Sequence, residues 1–129
     1  MENKLRKLVD YDISIPEFLK RLQCSECNEN EVGLLSCTVI GDPIPEISWF
    51  KEDSTQIVKD NRYDMKFNNE TGVAELIIHD SRINDEQSYK CIASNKFGTA
   101  KTIGVLVVKG ILVFYYFWLF PGDNTKLIK

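Results

Sequence analysis

Two cysteines, Cys37 and Cys91, with Trp49 between them, constrain this chain more than any other feature. Cys37 lies in Leu35-Ser36-Cys37-Thr38-Val39, where apolar residues recur at every second position. A β-strand sends successive side chains to opposite faces, so Leu35, Cys37 and Val39 point inward together, with Gly33 in their phase. Trp49 follows about a dozen residues on, in Ile47-Ser48-Trp49-Phe50-Lys51, which turns Ile47 and Trp49 inward. About forty residues further, Tyr89, Cys91 and Ala93 form another inward row. Ala74, Leu76 and Ile78 alternate in the same way between them, as do Leu106 and Val108 after them, with Ala100 in phase. Cys37, Trp49, Leu76, Tyr89 and Cys91 are the expected centre of the core.

The segments between these rows carry turn chemistry. Gly41-Asp42-Pro43-Ile44-Pro45 makes a stiff loop, Asp53-Ser54-Thr55 a turn, and Asn68-Asn69-Glu70-Thr71-Gly72 the tip of a hairpin. Ile57-Val58 reads as a short edge strand, and Tyr63, Met65 and Phe67 alternate as another. Asp80 to Glu86 forms a corner, and Asn95-Lys96-Phe97-Gly98 a hairpin turn before a last strand from about Thr99 to Val108. Ile13 to Gln23 reads as the first strand, with Pro16 suited to a sheet edge, where a missing donor is harmless. Short alternating strands with frequent turns specify an all-β, two-sheet sandwich.

Cysteine, tryptophan, then Tyr-x-Cys at this spacing is the pattern of an immunoglobulin sandwich. The stretch from about residue 13 to 109 resembles an I-set immunoglobulin domain. Such domains are strung together in muscle and cytoskeletal proteins such as titin, palladin and myosin light chain kinase, and in neural adhesion receptors. The resemblance implies a two-sheet antiparallel Greek-key sandwich, Tyr89 as a tyrosine corner, and Cys37 and Cys91 facing each other as thiols or, if oxidised, as a disulfide. It also implies that Asp85 pairs with a basic residue, for which Arg62 is the candidate. Three positions depart from the pattern. Gly33 stands where a β-branched residue is usual, which should loosen the start of its strand. Gln87 replaces a glycine, which would be strained if the position needs positive φ. Cys24-Ser25-Glu26-Cys27 falls where a short second edge strand normally runs.

At 129 residues the chain is long enough for one domain with tails. Residues 1–12 read as a flexible lead-in or linker and residues 110–129 as an apolar, then polar, tail. A net charge of −3 argues against a nucleic-acid binder, whose domain would be strongly basic. The first ten residues lack the apolar run of a secretory signal. If Met1 is the start, the setting is cytoplasmic and the cysteines stay reduced; a fragment of a secreted receptor is the alternative.

Catalytic chemistry is hard to find. There is no nucleophile elbow and no phosphate-binding loop, and the lone histidine, His79, falls outward beside the inward Ile78. Cys24 and Cys27 read as plain thiols or a local disulfide. A redox pair or half a zinc site is the alternative, but a zinc site would need two further ligands. Neither a cofactor nor a metal is expected. Asn69-Glu70-Thr71 is a glycosylation acceptor that would be used only if the chain is secreted.

The phase of the strands carries one further expectation. Ile103, Val105 and Val107 must face outward, as must Phe50 and Ile92 on strands expected in the same sheet. Apolar side chains gathered in a contiguous patch of this kind usually mark an interaction site. The ten apolar residues Ile111 to Phe120 are too few to span a membrane, which takes roughly 20. They would cover that patch, dock on protein or drive self-association. The leading reading is a non-enzymatic structural and protein-binding module of an intracellular cytoskeletal or muscle-type protein. Its partner would be another protein or a neighbouring domain. The alternative is an extracellular adhesion or receptor domain.

Overall fold

A computed structural model describes residues 14–110 and 118–122. Eight strands form two four-stranded sheets packed face to face. In chain order they are β1 (Glu17–Lys20), β2 (Ser25–Asn28), β3 (Gly33–Ile40), β4 (Glu46–Lys51), β5 (Tyr63–Phe67), β6 (Val73–Ile78), β7 (Gln87–Asn95) and β8 (Gly98–Lys109). One sheet has the order β1-β3-β6-β5, the other β2-β8-β7-β4. Among the described residues a single 3-10 turn, Ile83–Asp85, crosses between the sheets ahead of β7. The architecture is the expected sandwich.

Alternation builds the core. Leu35, Cys37 and Val39 from β3, Ala74, Leu76 and Ile78 from β6, Tyr89, Cys91 and Ala93 from β7, and Leu106 and Val108 from β8 are all buried. Trp49 is 1% exposed and pairs with Cys91 across the β4–β7 ladder. Its Nε1 meets no acceptor among the described residues, so packing alone holds the indole. The Cys37 and Cys91 sulfurs lie 3.8 Å apart as free thiols. The sulfur–sulfur hydrogen bond and burial push the Cys91 thiol well above its ordinary range.

The first strand differs from its expected form. Of the residues 13–23 expected to form it, β1 takes Glu17–Lys20 and pairs with β3, and the chain then crosses to the other sheet, where β2 pairs with β8. That second pairing is parallel, the one parallel pair among otherwise antiparallel described ladders. Leu22 plugs the crossing: it is buried, and its backbone N–H donates to Thr102 Oγ1 at 3.2 Å. Gly104 makes room for it, since a Cβ there would sit 2.7 Å from Leu22 Cβ and 3.0 Å from the Gln23 carbonyl oxygen. The Cys-x-x-Cys segment therefore keeps its edge strand.

Other departures have equally local causes. Ile57-Val58 forms no strand. Gln56 makes an isolated bridge to Phe50, and Ile57 is buried beneath the loop while Val58 stays exposed. Gly33 does not loosen β3, which begins there in register with Ile78. A Cβ at Gly33 would lie 3.0 Å from Leu106 and 3.2 Å from Ser81 Oγ, so those side chains occupy the space that a β-branched residue would take. Gln87 is absent from the positive-φ residues, which are Asn30, Ser54 and Asp80 besides Gly72, so the expected strain does not arise. The Asn68–Gly72 tip does need its glycine: Gly72 has φ 77°, and a Cβ would meet the Val39 carbonyl.

One end of the sandwich is tied by a single amide. Asn95 Nδ2 donates to the carbonyls of Ser14 (2.6 Å) and Pro43 (3.0 Å), while its Oδ1 accepts from Phe97 N–H at 2.9 Å. The sequence shows Asn95 only as a turn residue. The lead-in expected over residues 1–12 and most of the apolar tail lie outside the described residues.

Removing the central indole tests this core. Trp49→Ala is expected to destabilise the domain by about 3–5 kcal/mol, the usual cost of deleting a large buried aromatic. Urea unfolding of the parent and the variant measures it. A midpoint within a few tenths molar of the parent would deny Trp49 its central place.

Candidate interaction face

The strands of the β2-β8-β7-β4 sheet are held at their base by a charged clasp. Tyr89 O–H donates to the Asp85 carbonyl at 2.7 Å, so the tyrosine corner is formed. Burial, with Tyr63 and Asp85 nearby, pushes the phenol above its usual range. The Asp85 carboxylate accepts both arms of Arg62, at 2.7 and 3.0 Å, and also the Arg82 N–H at 2.7 Å and the Tyr63 O–H at 3.3 Å. A two-armed guanidinium–carboxylate pair fixes orientation as well as adding attraction. Burial alone would raise the pKa of Asp85, but Arg62 and the other donors outweigh it and hold the carboxyl below its ordinary value. The same pairing raises the Arg62 pKa. The clasp joins the start of β5 to the turn before β7, and so ties the two sheets together.

With Trp49, Tyr89, Cys91, Leu106 and Val108 turned inward, the opposite phase of the same strands makes the outer face. Ile103 is 60% and Val105 41% exposed, while Phe50, Ile92 and Val107 are half-buried. Register decides how they meet. Lys90 pairs with Phe50 on one side and Ile103 on the other, and Ile92 pairs with Ser48 and Lys101. Ile103, Val105 and Val107 line up along β8, while Lys90 separates Phe50 from Ile103 and Lys101 stands beside Ile92, so the unbroken patch expected from phase alone is not what forms. The Lys90 ammonium stands 5.7 Å over the Phe50 ring.

Carboxylates keep to the rim. Glu52 accepts from Ser88 N–H and O–H at 3.2 and 2.9 Å, Glu86 accepts from Val108 N–H at 3.0 Å, and Glu26 pairs with Lys109 at 3.1 Å. Glu46 is exposed at the start of β4.

Cys24 is exposed and Cys27 is half-buried against the core. Residues three apart along extended chain point to opposite sides, so the pair does not converge on one ligand. His79 is exposed beyond the end of β6, and Asn69 is exposed at the β5–β6 tip. An open depression beside that tip is lined by Lys66, Phe67, Glu70 and Thr71. Among the described residues no group of three or more histidine, cysteine or acidic side chains is placed to hold a metal. Trp118, Leu119 and Phe120 are exposed.

This sandwich, with its corner tyrosine and its paired thiols behind an indole, is an immunoglobulin fold. The family model of the immunoglobulin I-set domain matches residues 16–108, and the chain belongs to that family. Among known proteins it is 31% identical to the titin homolog of Caenorhabditis elegans over 111 residues, 86% of this chain. It is 39% identical to the muscle M-line assembly protein unc-89 of the same organism over 95 residues, 74% of this chain. The chain spans about 1% of the length of each of these relatives. Neural cell adhesion molecule 1-B of Xenopus laevis is 32% identical over 99 residues, covering 74% of this chain and 9% of the relative. Among solved structures, a chimeric titin Z1Z2 matches with a TM-score of 0.68 at 26% identity, over 74% of this chain and 94% of that one. A titin M10 complex with an obscurin-like 1 immunoglobulin domain matches in fold, with a TM-score of 0.69 at 23% identity, over 74% and 94% of the two chains.

The clasp makes a pH prediction. Asp85 has its folded pKa below the unfolded value of about 3.9, so its stabilisation is complete above that pH and fades as pH falls through the folded pKa. Asp85→Asn should cost about 2 kcal/mol at neutral pH, the scale of hydrogen bonds to a charged group. It should also flatten the fall in melting temperature below about pH 4. Parallel melting curves for parent and variant from neutral pH to pH 2 would contradict the role of the clasp.

Proposed function

We propose that this chain is a non-enzymatic immunoglobulin module that serves as a spacer and protein-binding unit in an intracellular protein of the muscle cytoskeleton. The observation that carries the binding role is the outer face of β4, β7 and β8. There Phe50, Ile92, Ile103, Val105 and Val107 are set on a rigid sheet with their carboxylate neighbours displaced to its rim. Large apolar side chains gathered on an exposed face favour an interaction surface over a merely solvated one. Its mechanism is surface complementarity on a fixed β framework, with a protein or a neighbouring domain as partner. The muscle relatives support the setting. The obscurin-like 1 complex shows a titin domain of this fold engaging another immunoglobulin domain, which supports a protein partner.

A second reading, an adhesion or receptor domain outside the cell, has its own support in the adhesion relative and in the exposed Asn69 acceptor. Among the described residues no helix is long and apolar enough to cross a membrane. Thiol counting on protein from its native source separates the two. Four free thiols and a bare Asn69 fit the cytoskeletal reading, whereas a Cys37–Cys91 disulfide with a glycan on Asn69 fits the adhesion reading.

The face is tested by changing its polarity. Ile92→Lys with Val105→Glu is expected to leave the fold intact, because both side chains point away from the core, and to abolish self-association or partner binding in sedimentation. Deleting residues 111–129 should shift the association state as well. A double variant that associates like the parent would remove this face from consideration.

A further inference from the structure

The chemistry of the partner can be read from the two lysines that interrupt the stripe. Lys90 stands on the inner strand β7 and Lys101 on the adjoining β8, in neighbouring rows of the same face, since Lys90 pairs with Ile103 and Lys101 with Ile92. Neither forms an ion pair among the described residues. Of the carboxylates in this sheet, Glu52 is engaged by Ser88, Glu86 by Val108 and Glu26 by Lys109, and Glu46 stands at the start of β4 in the row of Ser94 and Thr99. The centre of the face is thus positive and apolar, in a chain whose net charge is −3. Three successive rows cross β7 and β8: Ile92 with Lys101, Lys90 with Ile103, and Ser88 with Val105. Rows on one face of a sheet repeat every second residue, at roughly 7 Å. An extended chain laid along β8 repeats its own side chains at the same interval.

We propose that this face takes an extended acidic segment of a protein partner, with the pattern acidic-x-acidic-x-aliphatic. One carboxylate meets Lys101, the next meets Lys90, and the aliphatic side chain rests on Val105 beside Ile103. The proposal rests on the reading of this face as the binding surface.

Titrating a synthetic peptide, acetyl-Gly-Asp-Thr-Asp-Thr-Val-Gly-amide, into the isotope-labelled full chain tests it. Amide shifts are expected to move within residues 88–92 and 101–107. Lys90→Glu with Lys101→Glu, folded as judged by its amide dispersion, should weaken binding roughly tenfold, the combined effect of two exposed charge pairs. A peptide with lysine in place of both aspartates should bind the reversed variant and not the parent. Shifts confined to another surface, or none at millimolar peptide, overturn the proposal. So does binding to phosphatidylserine vesicles without binding to peptide, which would make the face a membrane contact. If charge reversal changes nothing while Ile92→Lys with Val105→Glu still abolishes association, the acidic chemistry is wrong and the face stands. Indifference to both pairs removes the face itself.

Discussion

Everything in this domain depends on the closure of two sheets over one tryptophan. Trp49 is fully buried in register with Cys91, and Cys37 reaches the same layer from the other sheet, its sulfur 3.8 Å from that of Cys91. The inward rows of β3, β6, β7 and β8 fill the rest, so each strand has one side committed to the core. The other side is then free to vary. Strands of this kind can carry a binding surface without loss of the fold, since a side chain pointing outward makes no core contact.

The clasp of Arg62, Asp85, Tyr63 and Tyr89 works at a different level. It adds little apolar burial, but it fixes where β7 begins relative to β5 and β6. A buried carboxylate is costly unless it is paired and hydrogen-bonded, and Asp85 has an opposing guanidinium and further donors. The clasp anchors the start of β7, while its register on β8, and with it the rows in which Lys90 and Ile92 meet Ile103 and Lys101, is set by the tight hairpin that pairs Asn95 with Gly98. Asn95 does the same service at the opposite end, binding Ser14, Pro43 and Phe97 together through one side chain.

Much of this was legible in the chain. Alternation identified the buried rows, because a period of two is a local property that the pleat itself imposes. The Cys–Trp–Tyr-x-Cys spacing pointed to the fold, and Arg62 was a sound partner for Asp85. The outward phase of Phe50, Ile92, Ile103, Val105 and Val107 could be counted along each strand. Their interleaving with Lys90 and Lys101 could not, because it depends on which residues lie side by side across two ladders. The crossing between sheets at Leu22 was also hidden. Its one signal was Gly104 in the middle of β8, where a side chain would strike Leu22. Gly33 and Gln87 misled as well: Gly33 looked like a defect until its neighbours in space were known, and Gln87 until its backbone conformation was.

Sequence by itself determined the class of fold, the core and the sidedness of every long strand, because these follow from the order of apolar and polar residues along the chain. Tertiary structure alone decided that the chain crosses between sheets at Leu22, that β2 runs parallel to β8, and that the outer face is a positive and apolar mosaic. Those features arise from contacts between residues far apart in the chain. Their energies depend on close packing and register, and neither is written in any local pattern.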